Sequence, residues 1–306
     1  MLDRANEIGG ESGAGRRNRV GRDSLAAGDQ EFIQSLAKGL AVIEAFSESR
    51  PQMTLSEVSR RVGLSPGSAR RVLHTLQLLG YASCQGTRFE LTPRVLQLGY
   101  SYLTSLPVAS LVRPRLSELT EEVGANCAVS VLDGVDTVFV ARTTAKQTAR
   151  ELLGVGTRFP AHTTSAGKVL LAELSRDEVE RLYAGRELEA VTPNTISSIG
   201  QLHEALEKVR ADGWALNDQE AMIGHRSITV PVRVNGRAVA AVGVGAHVAV
   251  ASVARMMESF LPPLQVTAEA IAQLLWNHAS AQTTGRSAAH ARGRGAATSA
   301  PQTSAR

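Results

Sequence analysis

Apolar residues along this chain keep two different periods. Up to about residue 124 they recur every three or four positions, the spacing of one helix face; beyond it they alternate, as in a strand with one side buried. In the first part, Leu36, Leu40, Ile43 and Phe46 predict an amphipathic helix capped near Ser35. Thr54 and Glu57 have the spacing of a capping box, Val58 and Val62 share a face, and Gly63 offers a turn. Ser65 followed by Pro66 then restarts a helix with a cap and a first-turn proline. On that second helix Ala69, Val72, Leu73, Leu76 and Leu79 form the inward stripe. Gly67, Arg70, Arg71 and His74 are thereby turned outward, with Ser68 on the flank. After Gly80, short runs on either side of Gln85, Gly86 and Thr87 predict a two-stranded wing.

The stretch from 93 continues helically to Pro107, and its apolar Leu96, Tyr100 and Leu103 suggest a contact with a second copy of the chain. A further helix, VRPRLSELTEEVG, stops at Gly124. Two hairpins follow, around Asp133 and Gly134 and around Asn235 and Gly236, and their strands should share one antiparallel sheet. Pro231 cannot donate in a ladder, so an edge or a bulge is expected there. Between the hairpins lie three helices, one entered at TTSAGKVLLAEL and two starting at Ser175 and Ser198. A last helix is expected to be interrupted by Pro262 and Pro263. The fold class is α+β: a disordered tail over 1–30, a winged helix-turn-helix over 31–92, a connecting helix over 93–108, a sheet-bearing domain over 109–278 and a disordered basic tail over 279–306.

Composition sharpens this division. A chain of 306 residues suits about two domains. Its formal net charge is +4, and residues 279–306 account for it with Arg286, Arg292, Arg294 and Arg306 and no acid. The body is nearly neutral, except that Arg60, Arg61, Arg70 and Arg71 crowd into 60–71 without a carboxylate, the local footprint that phosphate contact needs. Double-stranded DNA is therefore the expected partner of the first domain. The candidate contacts are Thr54, Ser65, Gly67, Ser68, Arg70, Arg71 and His74, with Arg88 in the wing. The longest low-charge run, 238–254, is broken by glycines and His247, so no membrane span is expected, and a polar N-terminus of mixed charge predicts a cytoplasmic protein. Cys84 and Cys127 stand alone and the histidines are scattered, so neither a disulfide, a metal nor another cofactor is expected.

The second domain offers anion chemistry. Thr163, Thr164, Ser165, Ala166 and Gly167 put hydroxyls and small residues at a helix N-terminus, where free N–H groups favour a carboxylate. Arg226 is a candidate second anchor, the alternative being a structural ion pair with Glu220 or a neighbour. Enzyme readings fit less well. Gly167 and Lys168 lack the earlier glycine and the following Ser or Thr of a phosphate-binding loop, and His162, Ser165 and Asp218 could form a hydrolase triad but lack a GxSxG elbow.

Over about 32–278 the chain resembles the IclR family of bacterial transcriptional regulators, through QSLAKGLAVIEAF, TLSEVSRRVGLS, ARRVLHTLQLLGY, VGTRFPAHTTSAGKVLLA and GWALNDQEAMIG in family order. FELTPRVLQLGYSYL and HRSITVPVR are most similar to the branch that controls protocatechuate, 4-hydroxybenzoate and β-ketoadipate catabolism. The resemblance implies a GAF-like or profilin-like effector domain, dimers that pair into tetramers, and a small organic acid as effector. It also implies that Asp218, Glu220, Pro231, Gly243 and Gly245 join the 164–167 loop around the ligand. Members that bind very small acids carry polar side chains where this chain has Gly243 and Gly245, which implies room for an aromatic acid here. A small non-aromatic acid such as pyruvate or glyoxylate is the other reading.

Overall fold

The computed structural model describes residues 31–47, 49–99, 108–146 and 153–295, and the chain divides into two compact units, Met1–Tyr102 and Leu103–Arg306. That division falls within 93–108. Its described part is a 3-10 turn over Pro93–Val95 and helical residues 96–99, with Leu96 77% exposed; Tyr100 and Leu103 lie outside the described residues, as do 1–30.

In the first unit, helix α1 (Gln34–Ala45) is followed by strand β1 (Gln52–Thr54), helices α2 (Leu55–Val62) and α3 (Pro66–Leu78), and strands β2 (Ala82–Gln85) and β3 (Arg88–Leu91). Local chemistry sets each boundary. The Thr54 N–H donates to the Glu57 carboxylate at 2.7 Å and the Glu57 N–H to the Thr54 hydroxyl at 3.4 Å, which closes the capping box of α2. Gly63, at φ 66°, ends α2 in the left-handed region open to glycine. The Ser65 hydroxyl accepts from the Ser68 N–H to start α3, with Pro66 in the first turn. The core gathers Val42, Ala45, Met53, Val58, Leu73, Leu76 and Ala82. Three details depart from periodicity alone. Leu36 and Leu40 are 60% and 41% exposed, because α1 buries the neighbouring face through Val42 and Ala45. Leu79, past the end of α3, is 51% exposed. The wing has a third strand, since β1 pairs with β3 and puts Met53 opposite Phe89 in the core.

The second unit is built on one antiparallel sheet in the order β6-β5-β4-β9-β8-β7. Its strands are β4 (Asn126–Asp133), β5 (Asp136–Thr143), β6 (Arg158–Pro160), β7 (Ala215–Asp218), β8 (His225–Val234) and β9 (Arg237–His247). Helix α4 (Val108–Val123) and a long C-terminal helix cover one face, where Val112, Leu116, Leu119, Phe260, Leu264 and Ile271 pack on Val129, Ile228, Val242 and Val244. Helices α5 (Ser165–Leu171), α6 (Arg176–Tyr183) and α7 (Ile199–Asp212) form a second core on Ala241. Pro231 lies in β8 beyond the stretch that β7 flanks and beside a register shift at Val232/Arg233. The C-terminal helix corrects two expectations. It runs without a break from α8 (Val253–Arg255) through a π-helical turn (Met256–Phe260) into α9 (Leu261–Gly295). Pro262 and Pro263 fall in the first turn of α9, where the wider turn before them absorbs their missing N–H groups. The helix then continues past His278, because the alanine-rich run to Gly295 contains no proline; 296–306 lie outside the described residues.

Candidate functional site

On the first unit, Gly67, Arg70, Arg71 and His74 stand exposed along the outer side of α3, with Ser68 half-buried beside them. Among the described residues no carboxylate pairs with Arg70 or Arg71. Thr54 and Ser65 have a prior task, since both hydroxyl oxygens already cap helices. Arg88 is exposed on the wing directly across from Thr54. Glu57 does not compete for a phosphate site as a free acid: the Thr54 N–H and hydroxyl hold its carboxyl below the usual range, with smaller contributions from Arg88 and Arg60.

On the second unit, a cavity of about 90 Å³ lies between the N-terminus of α5 and the sheet. On the scale where one water needs roughly 10–15 Å³, that admits a ligand of several heavy atoms and not a nucleotide. One wall is apolar: Phe139 and Phe159, whose rings are tilted with centroids 5.7 Å apart, together with Leu153, Ala221 and Met222. The other wall is polar. Ser165 Oγ lies 2.7 Å from Ser227 Oγ and 2.8 Å from Thr229 Oγ1, and Thr164, Thr137, Ser130, Asn126 and Asn217 complete the rim. Of the described lining residues Arg142 carries the one fixed charge, and none is a carboxylate; its guanidinium donates to the Leu153 carbonyl. Cys127 also lines the cavity, but burial pushes its thiol up to about 12, so it stays protonated and inert.

Thr164, Ser165, Ala166, Gly243 and Gly245 are where the sequence placed them, around this cavity. Five other residues expected there are not. Arg226 and Asp218 pair with each other on the opposite face of the sheet edge, at 2.7 and 3.2 Å, and Arg226 also donates to the Ala251 carbonyl. That pairing holds the Asp218 carboxyl below its usual range, chiefly through the Arg226 hydrogen bond. Glu220 turns inward to Lys168, at 2.6 Å. Pro231 lies along β8 past the cavity. Gly167 faces the backbone of Ala161, where a Cβ would come within 1.9 Å of the carbonyl oxygen. Gly243 and Gly245 serve the site indirectly, because a Cβ there would meet Thr229 Oγ1 at 2.4 Å and His225 Nε2 at 2.9 Å. The hydrolase triad does not assemble: Ser165 bonds Ser227 and Thr229, His162 faces the Glu189 carbonyl, and Asp218 is held by Arg226.

The residues that sequence reasoning missed are chiefly His225, Ser227, Thr229, Asn217, Arg142 and Phe139. The first three share a face with Gly243 and Gly245 by simple alternation, and Asn217 pairs with Ser227 across β7 and β8. Phe139 and Arg142 differ in parity and reach one side only because the β4–β5 register shifts at Val129/Ser130.

The model of the IclR helix-turn-helix domain matches residues 35–85, and that of the bacterial transcriptional regulator IclR C-terminal domain matches 100–273. The Pca regulon regulatory protein of Pseudomonas putida is 39% identical over 240 residues, covering 78% of this chain and 82% of that protein. The p-hydroxybenzoate hydroxylase transcriptional activator of Acinetobacter baylyi is 33% identical over 252 residues, covering 80% and 93%. A solved transcriptional regulator of Rhodococcus sp. RHA1 is 42% identical with a TM-score of 0.70, covering 80% of this chain and 98% of that one. Among the described residues no helix is long and apolar enough to cross a membrane, and no cluster could hold a metal ion.

Proposed function

We propose, on the premise that this chain belongs to the IclR family of bacterial transcriptional regulators, that its operator binding responds to a small aromatic carboxylic acid held in the cavity under α5. The observation that carries this reading is the composition of the cavity: an aromatic wall of Phe139 and Phe159 facing a wall lined by the hydroxyls of Ser165, Ser227 and Thr229, with no carboxylate among the described lining residues. The names of the relatives point the same way, toward regulation of aromatic-acid catabolism. Titration with 4-hydroxybenzoate and protocatechuate, followed by calorimetry, tests it. Either acid at about 100 times its dissociation constant should add about 2.7 kcal/mol of stability. Tight binding of pyruvate or glyoxylate, with neither aromatic acid bound, would overturn it.

The DNA side follows from the exposed arginines of α3. Replacing Arg70 or Arg71 by Ala should lose about 1–3 kcal/mol of operator binding if the side chain reads a base edge, and should flatten the preference at that base pair. Arg88→Ala should weaken all DNA alike and shallow the salt dependence. Unchanged operator affinity after removing both helix arginines would move the reading face elsewhere.

The acting species is inferred to be a homo-oligomer. Ile33, Leu36 and Leu40 make an exposed apolar stripe at helical spacing along the start of α1, and Leu96 and Leu98 add to the uncovered apolar surface of this unit. A second copy would cover such surface and would present two reading helices to a pseudo-palindromic site. Light scattering at micromolar concentration without DNA should give at least a dimer mass; a monomer mass would refute it.

A further inference from the structure

We propose that Glu90 is a positioning residue of the DNA interface: from the central strand of the wing it holds Gln52 and Gln85 as a fixed pair of amides that reads base edges beside those reached by α3. Resting on the DNA reading above, this adds a second reader on the wing.

The three-stranded wing turns one face inward and one outward. Met53, Phe89 and Cys84 share a cross-strand row, with Met53 and Phe89 in the core. By alternation the neighbouring rows face out: Gln52, Glu90 and Ser83 in one, Thr54, Arg88 and Gln85 in the next. Strand β3 lies in the middle, so its Glu90 is within reach of both flanking strands. Gln52 Nε2 donates to one carboxylate oxygen at 2.8 Å, and Ser83 Oγ and Gln85 Nε2 donate to the other at 3.0 and 3.3 Å. These bonds, that of Gln52 first, hold the Glu90 carboxyl below the usual range, so it is ionised at neutral pH.

Both glutamines are exposed. An exposed glutamine ordinarily gives up rotamer freedom when a partner fixes it, whereas here bonds within the free protein have already fixed both. An amide has two N–H groups and a carbonyl, and each glutamine spends one N–H on Glu90, so each retains a donor and an acceptor. That combination matches N6 and N7 of adenine in the major groove, and its N–H meets the N3 and O2 acceptors of an A·T pair in the minor groove.

Charge decides between base edge and phosphate. A phosphate over the ionised Glu90 is repelled, whereas a base edge is neutral, and the exposed Arg88 in the next row is left to take the phosphate. The face is continuous with the basic window of α2, because Arg88 and Arg60 both act on Glu57.

Binding of the full chain to an operator that the unmodified protein selects from random duplex DNA, and to its single base-pair variants, tests this. Gln52→Ala and Gln85→Ala should each lower discrimination at an A·T pair about five- to a hundredfold and leave the pairs read by α3 alone. Glu90→Ala should lose discrimination at those same pairs with both glutamines present, and Glu90→Gln, which keeps one oxygen to accept, should lose less. Adding Gln85→Ala to Glu90→Ala should cost little more at the Gln85 pair than either change alone. A residue that only repels phosphate behaves otherwise: its removal would raise affinity for operator and random DNA alike, leave discrimination intact and overturn the proposal. Unchanged DNA binding in every variant overturns it too and turns this face toward a protein partner. Melting without DNA reports whether each variant folds. If Glu90→Ala does not, Glu90→Gln and the two glutamine variants decide, and undiminished discrimination in all three overturns the proposal. Loss at Arg70→Ala with silent glutamines leaves the α3 reading standing and removes this one, whereas selection of no operator removes both.

Discussion

Lys168→Met should destabilise the second unit by about 3–5 kcal/mol, far more than its similar size suggests, because it leaves the Glu220 carboxylate buried without its partner. Lys168 is among the buried residues of α5 and reaches both the Glu220 carboxylate, at 2.6 Å, and the Leu216 carbonyl, at 2.8 Å. Glu220 has little slack. Its second carboxylate oxygen is buried with no hydrogen-bond partner among the described residues. Its backbone is fixed as well, the N–H donating to Asn217 and the carbonyl accepting from the Thr192 and Thr195 hydroxyls. Gln219 before it holds φ at 64°, a left-handed value rare for a side chain of that size. The next residues, Ala221 and Met222, line the cavity. The pair thus ties α5, which supplies Ser165 and Ala166, to the strap on the other side of the ligand space. Urea denaturation of the single variant and of Lys168→Met/Glu220→Leu separates charge from packing. The double variant should regain most of the loss, since a buried ion pair replaced by apolar groups of similar volume is often neutral or better. A double variant as unstable as the single one would mean that packing around Lys168, and not the stranded carboxylate, sets the cost.

What the sequence made legible was whatever chemistry is local. The capping boxes at Thr54 and Ser175 and the cap at Ser65 are decided within four residues and are present, whereas the box expected at Ser198 is half made: its hydroxyl accepts from the Gln201 N–H, but the Gln201 side chain accepts from the Ser197 N–H instead. So are the two hairpins, with Gly134, Asn235 and Gly236 at positive φ. The cavity was half legible. The α5 start and the two glycines were readable, and alternation from Gly243 and Gly245 leads to His225, Ser227 and Thr229 on the pairing strand. Arg226 attracted attention by its charge, yet the same alternation turns it to the other face, where it meets Asp218. Arg142 was out of reach, because the register shift that turns it toward Phe139 depends on how β4 and β5 pair. The exposed face of α1 misled for another reason. Apolar spacing marks a face to be covered without saying by what, and within the first unit Val42 and Ala45 point inward while Leu36 and Leu40 do not.

Gly167→Ala should weaken effector binding and stability together, although Gly167 does not line the cavity. In most helices alanine is the better residue by about 1 kcal/mol. Here the added Cβ would fall 1.9 Å from the Ala161 carbonyl oxygen and 2.4 Å from its carbonyl carbon and Cα, all of them backbone atoms that cannot rotate away. The 3-10 turn Ala161–Thr163 and α5 would have to separate, and the Thr163 carbonyl is itself pinned by the Asn217 side chain at 2.7 Å. Overpacking of this kind costs typically 1–3 kcal/mol, and rigid backbone on one side places this position at the upper end or beyond. The shift also moves Ser165, the residue that joins Ser227 to Thr229, so the hydroxyl cluster loses its geometry without losing a hydroxyl. Gly39→Ala in α1 is the control, because nothing lies within 4 Å of its added Cβ and it should be neutral or stabilising by up to about 1 kcal/mol. Chemical denaturation and effector calorimetry on both variants read the result. A Gly167→Ala protein as stable and as tight-binding as the Gly39→Ala one would show that α5 can lift from Ala161 at little cost, and that the close approach is not what sets the position of Ser165.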